Sequence, residues 1–171
     1  MNLLILGAGG HGQVVFDLAE QTKKYDKIAF LDDKATGEYV IGVCADYKQF
    51  KSADTEMYPA FGNNEGRLAW ENKLEQEGIP LAKIVSDRAY VSPKAKIANG
   101  CVVMPFAVVN TDVVLEQACI VNVGAIVDHG CHIEAGCHIA PGAIVKAENH
   151  LPSCTKVDSG EVVEARKFLL K

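Results

Sequence analysis

The sequence predicts a two-part molecule, a small α/β domain of the Rossmann type followed by a parallel β-helix built on hexapeptide repeats. Three observations predict it. An aliphatic residue recurs at every sixth position from Val91 to Val145. A glycine-rich loop, Gly7-Ala8-Gly9-Gly10-His11-Gly12, stands between an apolar run and an amphipathic stretch. Strand-like and helix-like segments alternate through residues 1–85, and the alternation ends where the repeat begins.

In the first part, residues 2–6 (NLLIL) form an apolar run of strand length. After the glycine loop, Val14, Val15, Leu18 and Ala19 fall on one face of a helix. Residues 27–33, 39–43 and 57–62 read as further strands. Residues 63–78 begin with an asparagine cap and end with a glycine stop, which predicts a second helix. This alternation predicts a parallel sheet with helices on its faces.

In the second part the large aliphatic positions are Val91, Ile97, Val103, Val109, Leu115, Val121, Val127, Ile133, Ile139 and Val145. Neither a helix nor a simple strand has a period of six. The fourth residue after each hit is small or medium and apolar: Ala95, Cys101, Ala107, Val113, Cys119, Ala125, Cys131, Cys137 and Ala143. This is the signature of a parallel β-helix, with three hexapeptides per triangular coil and the aliphatic side chains inside. Glycines 100, 124, 130, 136 and 142 share one turn phase, where positive φ costs glycine little. On this reading the period ends at Val145 and the tail covers the open end of the column. Domains are expected at 1–85 and 86–171, joined around 79–90.

The chain has 171 residues, 49% of them hydrophobic, and a net charge of −5. No basic run exceeds two residues, which argues against a nucleic-acid partner. No apolar segment approaches the 18 residues or more of a membrane span. The N-terminus lacks the basic flank of a secretory signal, so the cytoplasm is the expected compartment and the six cysteines are expected to be thiols.

Gly7, Gly9 and Gly12 fit a G-x-G-x-x-G loop between strand and helix, where backbone N–H groups can approach a diphosphate. Asp32 or Asp33, at the end of the next strand, can accept hydrogen bonds from a ribose or base. A nicotinamide dinucleotide is disfavoured because the domain is too small for both halves of a dinucleotide fold. The stretch DHGCHIEAGCHIAPG (128–142) is rich in histidine and cysteine. Its six-residue spacing is the period of the solenoid, and the closer cysteine pairs of a zinc site are absent. Cys101, Cys119, Cys131 and Cys137 therefore read as packing residues, and no metal is expected.

These motifs together resemble the bacterial sugar acyltransferases that include UDP-4-amino-sugar N-acetyltransferases and the sialic acid O-acetyltransferase group. The resemblance is carried by LGAGGHGQVV (6–15), FLDD (30–33), FGNNEGR (61–67), SPKAKI (92–97), VVMPFAVVN (102–110) and VNVGAIVDHGCHIEAGCHIAPGA (121–143). It implies a left-handed β-helix, a homotrimer with active sites between subunits, a nucleotide-linked sugar held by the N-terminal domain, and acetyl-CoA as the co-substrate along the β-helix. It places the catalytic histidine at His129, with Asn122 nearby. His138, Gly142 and Ala143 fall on the acyl-donor side. Gly9, Gly10, His11, Gly12, Asp32, Asp33, Gly62 and Asn63 fall on the sugar-nucleotide side.

The chain departs from the resembled pattern twice. Gly130 stands where the family carries an acid directly after the histidine. An acid that orients the imidazole must then come from elsewhere, and Asp128, adjacent in sequence, is the candidate catalytic partner, although neighbours on a strand point to opposite faces. The second departure is the C-terminus: the resembled family continues with several more coils that help cradle CoA, whereas here the period stops after Val145, so the acetyl-CoA site is expected to be shortened or completed differently. The chemistry expected of His129 is general-base assistance to an amine or hydroxyl attacking a thioester. Two other functions fit parts of the sequence: a non-catalytic sugar-nucleotide binder, and a γ-carbonic-anhydrase-like zinc enzyme using His129, His132 and His138.

Overall fold

The computed structural model describes residues 1–169. The chain divides into two compact units, Met1–Ala82 and Lys83 onward.

The first unit is a four-stranded parallel sheet in the order β3-β2-β1-β4. The strands are β1 (Asn2–Leu6), β2 (Lys27–Leu31), β3 (Val40–Gly42) and β4 (Thr55–Pro59). Helix α1 (Gly10–Thr22) packs on one face, where Phe16 stacks on Phe30 at 5.2 Å between ring centroids. The other face carries Leu4, Leu6 and Leu31 against Tyr47, Leu74 and Ile79, contributed by a 3₁₀ segment (Cys44–Phe50), helix α2 (Asn64–Gln76) and the residues after it. Two details differ from the sequence reading. Val14 is exposed and Phe16 takes its place beside Val15, Leu18 and Ala19. The 3₁₀ segment is an element the apolar pattern does not announce.

Two glycines of the loop are required by geometry. Gly7 has φ +103°, and a Cβ on Gly12 would lie 2.1 Å from the Gly7 carbonyl oxygen. Gly12 therefore lets α1 start against the end of β1. Gly9 and Gly10 have open space where a side chain would stand.

The second unit is a left-handed parallel β-helix of fourteen two-residue strands, β5–β18, at 84–85, 90–91, 96–97, 102–103 and so on by sixes to 162–163. They form three sheets. For brevity these are face one (β5, β8, β11, β14, β17), face two (β6, β9, β12, β15, β18) and face three (β7, β10, β13, β16). Residues eighteen apart stack directly: Ile120 on His138, Val121 on Ile139. The second residue of each strand points inward and builds a continuous core.

The repeat does not end at Val145. Leu151, Val157 and Val163 continue it and are buried. The fourth-residue phase in these last hexapeptides holds Asn149, Thr155 and Glu161 instead of small apolar residues, and this hides the period. Asn149 is nonetheless 1% exposed. Its amide donates to the Lys146 and Glu164 carbonyls at 2.7 and 2.8 Å and accepts the Phe168 N–H at 3.0 Å. A buried polar side chain is tolerated when so satisfied. Phe168 packs against the end of the core.

One corner position of each hexapeptide is left-handed from residue 100 to residue 166. Glycines fill it at 100, 124, 130, 136, 142 and 160, whereas Phe106, Asp112, Ala118, Glu148, Cys154 and Arg166 adopt it without glycine. Such a backbone costs a side-chain-bearing residue about 1–2 kcal/mol. Intercoil hydrogen bonds hold it, as in Gly130 N–H to Thr111 O at 3.0 Å and Glu148 N–H to His129 O at 3.0 Å.

The interior thiols are packing residues. Cys101, Cys119, Cys131 and Cys137 are buried, and each S–H donates to a backbone carbonyl fifteen residues on. Burial pushes the Cys119 and Cys131 thiols up, the former further through its stacked neighbours Cys101 and Cys137. All six cysteines are unpaired by disulfides.

Candidate active site

The corner that leaves face two after β12 (Ile126–Val127) carries Asp128, His129 and Gly130. Asp128 Oδ1 accepts the His129 backbone N–H at 2.7 Å and lies 3.0 Å from His129 Nδ1. Asn110, one coil below, donates its Nδ2 to the same oxygen at 3.1 Å. The expectation that strand alternation separates Asp128 from the ring fails here. The strand stops at Val127, and the corner turns both side chains outward. A carboxylate only accepts, so Nδ1 bears the proton, and Nε2 is the basic nitrogen of the neutral ring. The His129 N–H, the ring and Asn110 hold the Asp128 carboxyl below its usual range. The His129 side chain is 52% exposed, open to a substrate.

Asn122 and His138 meet at a different corner. Asn122 follows β11 (Ile120–Val121) on face one, and its Oδ1 accepts the Val123 N–H at 2.8 Å. Its Nδ2 therefore donates to His138 Nε2, 3.0 Å away. Gly142 occupies this same corner, with open space where a Cβ would stand, and Ala143 beside it points into the core. Within one chain this corner enters face two, whereas the His129 corner leaves it. The two groups therefore flank face two from opposite sides.

The outward residues of face two are Tyr90, Val108, Ile126, Ile144 and Val162, apolar in every coil. Tyr90 and Val162 are 57% and 42% exposed. Face three carries a different outward ladder. His132 Nε2 bonds Glu116 at 2.6 Å, His150 Nε2 bonds Glu134 at 2.5 Å, and the two rings lie 4.5 Å apart. His129, His132 and His138 thus stand at one corner and on two different faces, so a single chain does not gather them on one ion. Among the described residues no three His, Cys, Asp or Glu side chains converge to hold a metal.

In the first unit, β1 and β4 are neighbours while their following segments run to opposite faces. That is the switch point where parallel sheets receive ligands at their carboxyl ends. Gly9, Gly10 and His11 follow β1; Gly62 and Asn63 follow β4. His11 Nε2 lies 3.1 Å from the hydroxyl of Tyr58, a residue the sequence reading does not single out. Asn63 caps α2 by accepting the Gly66 N–H at 2.6 Å. Asp32 lies one strand away. It accepts the N–H groups of Ala8, Lys34 and Ala35 at 2.6–2.8 Å, which hold its carboxyl below the usual range. Asp33 accepts the Cys44 N–H at 2.9 Å. Both aspartates fasten loops.

The acetyltransferase domain of PglB from Neisseria gonorrhoeae FA1090 is 35% identical to this chain and superposes with a TM-score of 0.93, over 96% of this chain and 83% of that one. This chain belongs to the same family of bacterial sugar acetyltransferases. A second structure of that domain, in complex with acetyl coenzyme A, is 34% identical with a TM-score of 0.94, over 96% and 82% of the two chains. The model of the PglD N-terminal domain matches residues 2–74. PerB from Caulobacter crescentus, in complex with CoA and GDP-perosamine, shares the fold at 24% identity, with a TM-score of 0.83 over 96% and 89% of the chains. In this acetyltransferase the late coils are present, so the expected shortening of the β-helix is corrected.

Proposed function

We propose that the chain transfers an acetyl group from acetyl-CoA to an amine of a nucleotide-linked sugar, with His129 as the general base. The observation that carries this reading is the exposed His129–Asp128 pair, whose geometry leaves Nε2 as the proton acceptor. As the amine attacks the thioester carbonyl, its N–H proton passes to Nε2 and an N–C bond forms. The tetrahedral intermediate then breaks its C–S bond, and the imidazolium returns the proton to the departing thiolate. Asp128 stabilises the imidazolium in between. General-base assistance of this kind contributes roughly 10²–10⁴ in rate.

The acetyl-CoA assignment draws on the PglB domain, whose complex contains that ligand. His138, held by Asn122, stands on the acyl-donor side beside the open corner at Gly142. The sugar nucleotide is assigned to the β1/β4 crevice. There the N–H groups that open α1 are available to a diphosphate, and Gly9 and Gly10 leave room for its approach. An amine acceptor is preferred to a hydroxyl on resemblance.

The active form is a cyclic trimer packed through face two. A ring of three places the corner leaving face two of one copy beside the corner entering face two of the next. His129 of one copy would then face His138 and Asn122 of its neighbour, which one chain holds apart. The apolar ladder of face two gives such packing its driving force.

Thiol release from acetyl-CoA, measured with a panel of amino-sugar nucleotides, tests the reading. Release with at least one acceptor and its loss in His129→Ala is the expected result. Equal turnover by wild type and His129→Ala removes the histidine from the reaction.

A further inference from the structure

We propose that Glu148, clamped by Arg166, is a positioning residue for the His129 imidazole and takes from the next coil the place that a side chain at residue 130 would fill. This rests on the reading of His129 as the base. Gly130, Glu148 and Arg166 form one column, eighteen residues apart, and all three are left-handed corners with φ of +66°, +58° and +56°. The corner hydrogen bond ties Glu148 to the base itself, because the Glu148 N–H donates to the His129 carbonyl at 3.0 Å. Glu148 lies over the bare glycine: a Cβ on Gly130 would meet Glu148 Cγ at 3.4 Å. Arg166 Nε donates to Glu148 Oε2 at 2.5 Å, which restricts where the carboxylate can go. Arg166 first, and His129 to a smaller degree, hold the Glu148 carboxyl below its usual range.

The charges around the ring follow from the stacking. Asp128 contacts Nδ1, Glu148 lies one coil above, and Arg166 lies beyond Glu148. The flanking column carries Lys146 and Glu164, paired with each other at 2.6 Å, and Asn110 below Asp128. The corner below supplies Thr111, which is neutral, and Asp112, a carboxylate one coil below Gly130 in the same column that is left unchanged in every variant of the test. A second carboxylate here favours the imidazolium that forms as the amine is deprotonated, and Arg166, paired with it, offsets part of that charge. The arrangement does what an acid at 130 would do, with the charge delivered from the neighbouring coil.

The test follows the His129 ring by NMR in histidine-labelled protein, so it needs no turnover. Glu148→Gln removes a negative charge and leaves Arg166, so the ring's titration midpoint moves down. Arg166→Gln frees the Glu148 carboxylate, so the midpoint moves up. Both side chains are largely exposed, at 47% and 67%, so both variants fold. Adding Gly130→Asp to Glu148→Gln returns the midpoint towards wild type, since aspartate tolerates the left-handed backbone. In thiol-release assays Glu148→Gln lowers kcat about tenfold with little change in KM, a fraction of the roughly 10²–10⁴ a well-placed base supplies. Unmoved midpoints in both single variants, or shifts of the same sign, overturn the proposal. A wild type without thiol release, or a fully active His129→Ala, refutes instead the assignment of the base, which the opposed NMR shifts do not measure.

Discussion

The ring of His129 is held by the residue before it: Nδ1 lies 3.0 Å from Asp128 Oδ1, the same oxygen that accepts the His129 backbone N–H at 2.7 Å. One carboxylate oxygen thereby fixes both the peptide and the tautomer of the ring. Asp128→Asn lets an amide N–H2 face Nδ1, which selects the wrong tautomer and puts the proton on Nε2. We expect kcat to fall about 10²-fold, at the lower end of what general-base assistance contributes, with KM nearly unchanged. Steady-state kinetics of thiol release check this. Asp128 is held low by the His129 N–H first, so it stays ionised through neutral pH.

Much of this was legible in the sequence, and the gaps have physical causes. The six-residue period is a packing constraint, since each inward side chain meets its copy eighteen residues on. It identified Val91 to Val145 as one column. The same constraint governs Leu151, Val157 and Val163, but polar corners at Asn149, Thr155 and Glu161 obscured it, because Asn149 is satisfied by backbone groups that no sequence displays. His129 stood out as a candidate from its motif. Its pairing with Asp128 was not legible, because that depends on a strand ending at Val127. Tyr58 reaches His11 from an adjacent strand, and the order of parallel strands is invisible in a single sequence. Asp32 read as a ligand residue, while its three backbone partners come from loops whose shape only the fold supplies.

Ile126 sits in the middle of the apolar ladder of face two, next to the strand residue that precedes Asp128 and His129. Ile126→Glu puts a charge on that face in every copy, and desolvating an unpaired carboxylate is strongly unfavourable. If copies pack through face two as proposed, the assembly dissociates and thiol release falls with it, because the His129 and His138 corners no longer meet. Analytical ultracentrifugation gives the state of assembly. A fully active monomer would rule out a shared site.

The glycine loop separates fold from function. Gly12→Ala pushes a methyl group to within 2.1 Å of the Gly7 carbonyl oxygen, backbone against backbone, so α1 must move. A loss of about 3 kcal/mol or more in unfolding free energy is expected, at the upper end of overpacking effects. Gly9→Ala meets nothing within 4 Å, so it keeps stability and weakens sugar-nucleotide binding if the loop receives a diphosphate. Denaturant melts and calorimetric titration with the sugar nucleotide separate the two effects.

Asp32 predicts a pH dependence of stability in the first unit. Its folded carboxyl lies below the model-peptide range because Ala35, Ala8 and Lys34 donate to it. A depressed folded value means the contribution is complete above the unfolded pKa near 4 and fades as pH falls through the folded value. Asp32→Asn has one acceptor oxygen where the carboxylate has two, so a loss of about 1–3 kcal/mol is expected at pH 7. The difference between wild type and variant shrinks towards pH 3 in paired denaturant titrations. A gap that stays constant between pH 7 and pH 3 would show that the charge is irrelevant.

The late coils give a prediction about the column's stability. Leu151 is fully buried and stacks on Ile133 across the β13–β16 pairing, while Phe168 covers the same end of the core. Leu151→Ala leaves a void that the stacked backbones cannot collapse into, because each coil is fixed by hydrogen bonds to its neighbours. The expected cost is about 2–5 kcal/mol. Val162, the outward residue of β18, is 42% exposed, so Val162→Ala costs far less in an isolated chain. If the tail were a loose appendage, both substitutions would leave the denaturation midpoint where wild type has it. If it is part of the solenoid, Leu151→Ala lowers the midpoint strongly and also loosens the corner carrying Glu148 and Asn149, which enters face three directly before β16.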